Sequence, residues 1–400
     1  MTASPGALVA RHVDTLPADA LPAYLYDLPA LRAHAAAVRA ALPDRVELYY
    51  AAKANPEPAL LTALRPFVDG YEVSSGGELA HVTAAVPGAR TAFGGPGKTP
   101  AEITAGLAAG VHRWHVESLH ELRQLIALGV PVDVLLRANL PVDGGGLDGA
   151  ALAMGGRPSP FGMDPDDVHR GLRLLAGRDA RHLRLRGIHA HLASGLDADG
   201  QLSLAGAIVG QAAALGLGEA NVGGGMAVDY ADPDARFDWA AFGTGLEKLL
   251  ARHPGLRLRI EPGRSLTAYC GWYATEVLDL KHSHGEDFAV VRGGTHHLRT
   301  PATRGHAQPF AVRPSADWPH PWERPSATGP EVTLAGQLCT PKDVLAGRAA
   351  APGLRAGDRV VFAMAGAYAW NISHHDFLMH PRPGFHVLDT PDGAPDRELS

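Results

Sequence analysis

The 400-residue chain has five lysines against thirty-one arginines, so each lysine can be weighed singly as an amine nucleophile. Lys98 in GGPGKTP, Lys248 on the polar side of an amphipathic helix, Lys281 in a charged turn and Lys342 before DVLA sit in ordinary contexts. Lys53 ends the strand-like run ELYYAAKAN, among apolar neighbours expected to desolvate it and lower its pKa. A snorkelling strand-end lysine and an activated amine both fit that context. NVGGGMAVDY sets Gly223, Gly224 and Gly225 where bare N–H groups can approach a phosphate, although tight turns also use glycine. IEPGR brings Glu261 and Arg264 to the end of a further strand, where a carboxylate either closes a salt bridge or meets a cationic heterocycle. In GIHAHLAS, one of His189 and His191 is expected to face the barrel interior and the other the surrounding helices. His374, His375 and His380 in SHHDFLMH look metal-like but lack regular ligand spacing, so no metal is expected. Cys270 and Cys339 are too few for a disulfide framework or a four-thiolate zinc site.

These residues need a scaffold, and the sequence proposes one. Short apolar runs alternate with helical patterns over residues 46–265, with strand candidates at 46–53, 70–75, 89–94, 112–118, 132–139, 183–194, 219–225 and 256–263. Eight β/α repeats predict a closed (β/α)8 barrel, with its chemistry at the C-terminal ends of the strands. After residue 266 the pattern becomes short alternating runs without clear helices, predicting a separate mostly-β domain. The expected division is an N-terminal segment, 1–30, packing with the β domain; the barrel, 31–265; and the β domain, 266–400. Residues 141–163 and 300–330 read as long loops.

The composition is that of a soluble globular protein of enzyme size and excludes a disordered or fibrous chain: 46% hydrophobic residues, 20% charged, and glycine and proline spread along the whole chain. A net charge of −6 without a basic block argues against nucleic acid or an anionic membrane as partner and favours a small molecule. No apolar run reaches about 18 residues, and MTASPGALVARHVDT lacks the regions of a signal peptide, so a cytoplasmic location is expected.

Ten segments in order resemble one family. They are AYLYDLPALRAHAAAVRAALP, YYAAKANPEPALL, GYEVSSGGELAHV, HVESLHEL, GGRPSPFGMD, GIHAHLAS, NVGGGMAVDY, EPGRSLTAYCG, GQLCTPKDVLA and AGAYAWNISHHDF. They are similar to the fold-type III pyridoxal-phosphate decarboxylases, which include the ornithine/arginine and diaminopimelate enzymes, with an alanine-racemase-like barrel. The resemblance implies that Lys53 holds pyridoxal 5′-phosphate covalently and that His191 stacks on its ring. It puts Ser194, Gly223, Gly224, Gly225, Gly263 and Arg264 around the phosphate and Glu261 on the ring nitrogen. That last pairing implies decarboxylation, since racemases on this barrel place arginine there. Cys339 resembles the thiol that protonates Cα, and Tyr368 a phosphate-contacting tyrosine, which implies a homodimer with shared active sites. Cys270 has no such counterpart and reads as packing.

The departures from the family concern substrate. Thr340 follows Cys339 where diaminopimelate enzymes carry glutamate and ornithine-type enzymes aspartate. Asp343 is kept and could meet an amine, and LRTPATRGH leaves Arg299 as substrate anchor, alongside Arg264 and Tyr368. CTPKD with GAYAWNISHHDF is most similar to the branch that decarboxylates amino-acid conjugates in siderophore and related secondary-metabolite biosynthesis, such as citryl-diaminopropionate decarboxylases. Weighed against that carboxy-lyase are a free diaminopimelate, ornithine or lysine decarboxylase, an amino-acid racemase, and a catalytically silent binding homologue.

Overall fold

A computed structural model describes residues 4–141, 152–299, 307–389 and 397–398. Residues 142–151, within the loop expected at 141–163, and 300–306, within the one expected at 300–330, lie outside the described residues. The chain divides into two units, one of residues 32–228 and 236–266, the other of residues 1–31, 229–235 and 267–400.

The first unit is the eight-stranded barrel that the alternation predicts. Its strands are β1 (Val46–Ala51), β2 (Gly70–Val73), β3 (Thr91–Phe93), β4 (Arg113–Val116), β5 (Val132–Arg137), β6 (Leu183–His189), β7 (Glu219–Asn221) and β8 (Arg257–Ile260). Neighbours pair in parallel in that order, and β8 returns to β1 to close the ring. Both faces of these strands are covered, which is why Tyr49, Tyr50, Tyr71 and Trp114 are wholly buried and the runs read as nearly continuous apolar stretches. The helices start where the strands end. Ser75, Thr99, Ser118, Asp164, Asp197 and Asp238 each accept a bond from the backbone N–H three residues on, and Thr99 forms a reciprocal capping box with Glu102.

The two ends of the barrel differ in chemistry. Near the strands' N-terminal ends, Arg113 meets Glu219 (2.7 Å) and Asp133 (2.9 Å), while Arg259 pairs with Glu47 and lies 4.2 Å from the ring of Tyr49. These charges are mutually neutralised and hold strands to one another. The C-terminal rim carries the reactive side chains.

In the second unit, the long strand Gly271–Ser283 pairs antiparallel with Ala23–Asp27, Glu286–Val291 and Arg359–Phe362. Ala23–Asp27 runs parallel to Gly384–Leu388 on its other side. Val9 and Val13 of the helix Ala7–Thr15 pack with Leu25, Ala274, Val361 and Leu388 to form this unit's core. No helix among the described residues is long and apolar enough to cross a membrane.

The β6–β7 pairing tests how tightly the barrel is built. A Cβ on Gly187 would lie 1.9 Å from the carbonyl oxygen of Glu219. Gly187→Ala is expected to cost about 1–3 kcal/mol through overpacking. Gly206, inside the helix Ala198–Ala214, has nothing within 4 Å of its Cβ position, and Gly206→Ala is expected to stabilise by about 0.4–1 kcal/mol. Opposite shifts in the urea midpoint at unchanged slope would bear this out.

Candidate active site

Lys53 lies in the 3-10 turn Ala52–Ala54 directly after β1. The turn is fixed from the opposite end of the sequence, because Ala51 N–H donates to Pro262 O (3.1 Å) and a Cβ on Gly263 would lie 2.8 Å from the Cβ of Ala54. Ala52 and Ala54 are buried, but the lysine side chain is 45% exposed and its Nζ pairs with buried Glu72 of β2. Desolvation is therefore not what distinguishes it, which corrects the sequence expectation; its distinction is position on the rim and a carboxylate partner. Ser74 Oγ donates to the other oxygen of Glu72 (2.9 Å) and holds that carboxylate in place.

Glu261 follows β8 and is 6% exposed. Asn221 Nδ2 donates to its Oε1 at 2.6 Å. His115 Nε2 lies 3.6 Å from Oε1 and His189 Nε2 3.5 Å from Oε2, and the two rings stack at 4.2 Å. Burial, first, pushes both histidines well below their usual pKa, so both are neutral. The ligating atoms of His115, His189 and Glu261 lie within 4.8 Å of one another. Asn221 nevertheless directs an N–H into that group, where a metal ion would meet the positive end of the dipole.

The glycine run meets these residues. Gly223 and Gly225 have φ of 69° and 95°, in the left-handed region that glycine enters freely, and a Cβ on Gly224 would lie 2.3 Å from the carbonyl of Glu261. Gly223 N–H donates to Asn221 Oδ1 (2.9 Å), and Gly224 N–H to His191 Nδ1 (3.1 Å). Accepting at Nδ1 leaves the proton of neutral His191 on Nε2, 3.4 Å from Ser194 Oγ. Desolvation and the charges of Lys53 and Arg137 push the His191 pKa down to about 3. Arg264 opens the short helix Arg264–Thr267 immediately after Gly263.

The expected opposition of His189 and His191 does not hold. Residues two apart in a strand share a face, and β6 ends at His189, so His191 lies on the rim loop beside the glycines while His189 lies under Glu261. Nor is Lys98 an ordinary loop lysine. Its side chain is 1% exposed, pairs with Glu121 at 2.8 Å and donates to the carbonyls of Gly95 and His115, both at 2.9 Å.

The barrel unit thus brings Lys53, His191, Ser194, Gly223, Gly224, Gly225, Glu261, Gly263 and Arg264 to one rim. Cys339, Asp343, Arg299 and Tyr368 belong to the other unit. Cys339 is exposed, on a loop held by Asp343. Asp343 is 2% exposed and accepts from Thr295 N–H (2.6 Å), Thr295 Oγ1 (2.8 Å) and Leu338 N–H (2.8 Å). Such a carboxylate fixes a loop; it is not free to meet an amine, which corrects its expected substrate role. Tyr368 is half-buried with φ of 49°, and the Arg299 side chain is exposed. The remainder of the motif after Arg299, residues 300–306, lies outside the described residues. Cys270 is buried and donates to Thr267 O, as a packing thiol does. His375 stacks on Trp370 at 3.6 Å and bonds to its carbonyl, and the His380 ring lies tilted 5.1 Å from that of His296.

Sequence reasoning missed Glu72, Lys98, His115 and Asn221. For Glu72, His115 and Asn221 the signal available was a polar residue in a buried barrel strand, as in GYEV, RWHV and EAN; Lys98, in a loop, carried no such signal.

As a donor set, an amine, a buried carboxylate with one oxygen turned from its amide donor, a neutral imidazole and a run of glycine amides beside an arginine fit a phosphorylated pyridine aldehyde. The comparisons agree. The pyridoxal binding domain of the pyridoxal-dependent decarboxylases matches residues 28–268. A 2-[(L-alanin-3-ylcarbamoyl)methyl]-2-hydroxybutanedioate decarboxylase from Staphylococcus aureus (strain NCTC 8325 / PS 47) is 39% identical over 378 residues, covering 91% of this chain and 93% of its own. An L-glutamyl-[BtrI acyl-carrier protein] decarboxylase from Niallia circulans is 30% identical, covering 90% and 87%. Among solved structures, diaminopimelate decarboxylase from Helicobacter pylori complexed with L-lysine superposes with a TM-score of 0.81 at 23% identity, covering 98% and 95%.

The buried Lys98–Glu121 pair can be separated from the rim by its effect on folding. Lys98→Met leaves Glu121 buried without its cation and is expected to cost about 3–5 kcal/mol. Lys248→Met, on a helix surface, is expected to stay within about 0.5 kcal/mol. Urea denaturation of the two variants measures both.

Proposed function

Because this chain belongs to the pyridoxal-dependent decarboxylases, we propose that it removes a carboxylate from the α-carbon of an amino-acid conjugate, in siderophore or other secondary-metabolite biosynthesis. It is a carboxy-lyase, and its cofactor is pyridoxal 5′-phosphate. When bound, that group supplies the electron sink for the pair released as carbon dioxide leaves.

Lys53 is the amine that attaches it, Glu72 holding that amine at the rim. Ser194, Gly223, Gly224, Gly225, Gly263 and Arg264 take the phosphate, and His191 covers one face of the ring. Glu261 keeps the ring nitrogen protonated through Coulomb attraction and a charge-assisted hydrogen bond, which favours decarboxylation over racemisation. Cys339 returns a proton to the α-carbon, and Tyr368 closes the phosphate side. Both come from the partner subunit of a homodimer, acting in the cytoplasm, where an exposed thiol stays reduced.

One observation carries the substrate reading: the loop after Cys339 offers no free carboxylate, since residue 340 is threonine and both oxygens of Asp343 are occupied. A distal ammonium would lose hydration there without a charged partner, and a mismatch of that kind discriminates strongly. The conjugates named for the Staphylococcus and Niallia relatives support the same class.

Carbon dioxide release from citrate-conjugated 2,3-diaminopropionate, diaminopimelate, ornithine and lysine tests this. The conjugate is expected to have the highest kcat/KM; a higher value for any free diamino acid would reject the reading. Mixing inactive Lys53→Ala and Cys339→Ala subunits is expected to restore about one quarter of wild-type activity, since about half the dimers are mixed and each has one intact site. An inactive mixture, with subunit exchange verified by mass, would place both residues' work in one chain.

A further inference from the structure

Asn221 closes β7 and is fully buried. The backbone N–H of Gly223 can only donate, and it reaches one end of the Asn221 amide at 2.9 Å, so that end is the oxygen. The other end, Nδ2, must then donate, and it lies 2.6 Å from Glu261 Oε1 and 3.3 Å from His115 Nε2. His115 therefore presents a lone pair at Nε2. The groups that face Glu261 are this amide from β7, His115 from β4 and His189 from β6, the two histidines neutral in their buried stack. Among the described residues no lysine or arginine pairs with Glu261.

We propose that Asn221 is a positioning residue that holds Glu261 as an uncompensated carboxylate, one oxygen engaged by Nδ2–H and the other left for the cofactor's ring nitrogen. Through Gly223 the same amide ties the carboxylate to the glycine turn on the phosphate side. A buried carboxylate without a cation is costly. The amide donor offsets part of that cost without neutralising the charge, and the protonated ring nitrogen supplies the missing cation. A lysine or arginine in the place of Asn221 would satisfy Glu261 before the cofactor arrived and weaken its hold on the ring proton. The neutral histidine pair fills the remaining space without adding charge.

The inference rests on the reading of Glu261 as the ring-nitrogen partner, and the test separates the two. Holoenzyme is reconstituted with pyridoxal phosphate carrying 15N at the ring, and the 15N shift reports whether that nitrogen is protonated. In Asn221→Leu, similar in volume but without donor or acceptor, the signal is expected to move to the unprotonated range, with kcat lower by about tenfold or more and KM within about threefold. In Asn221→Asp, a protonated carboxyl can donate to Glu261 and accept from Gly223, so the protonated signal is expected to persist. A protonated signal in Asn221→Leu, or its loss in both variants, would overturn the proposal. Should Asn221→Leu not fold, Asn221→Ser, too short to reach Glu261, carries the same expectation and is read the same way. Glu261→Gln is the control: a ring that stays protonated there refutes the Glu261 reading, whereas loss there with no change in Asn221→Leu refutes only the role of Asn221.

Discussion

Closure of the parallel barrel is the constraint on which the site depends. Lys53 and Glu261 are more than two hundred residues apart in sequence, yet β8 hydrogen-bonds to β1, and the Ala51–Pro262 bond ties the turns that follow the two strands. Since all eight strands run the same way, every side chain just past a strand end arrives at one rim. An amine, a carboxylate and a glycine turn can then be specified by separate short motifs, and the ring brings them together. The opposite end is free to carry the charges of Arg113, Asp133, Glu219, Glu47 and Arg259, whose effect is on strand pairing.

Much of this was legible in the sequence because barrel strands, buried on both faces, leave a strong apolar signal between turn residues. The eight strands and the rim motifs at Lys53, Gly223 to Gly225 and Glu261 were visible for that reason. What was hidden depends on packing that the one-dimensional pattern does not encode. Lys98 stands in a Gly/Pro-rich loop, which reads as exposed, but the loop folds inward and the ammonium meets Glu121. Asp343 looked available because its spacing from Cys339 says nothing of the amide donors that Thr295 and Leu338 bring to it. Strand alternation does not reach His191, because the strand ends two residues earlier, at His189. His115 and Asn221 share their strands with Arg113 and Glu219, and the strand pattern gives no hint of what each polar side chain faces across the barrel.

Electrostatically, the rim separates charged from neutral groups. Lys53 has its own carboxylate in Glu72, so Glu261 is not drawn into pairing with it. The histidines around Glu261 and the glycine turn are kept neutral by burial, so none competes for the negative charge. Two carboxylates on one rim thus have different partners, Glu72 the ammonium of Lys53 and Glu261 the amide of Asn221.

The clamp on the Cys339 loop bears on how such an enzyme changes its diet. With Asp343 drawing in Thr295 and Leu338, the loop's shape is settled when the chain folds, and substrate binding need not order it. Residue 340 is one step from the thiol and three from the clamp. On the proposed role of Cys339, a mutation there changes what the loop presents to a substrate and gives up only the bond that Thr340 Oγ1 accepts from Lys342 N–H (3.3 Å), the Asp343 clamp remaining, so evolutionary drift between substrate classes can run through single steps of small stability cost at that position while the barrel stays as it is.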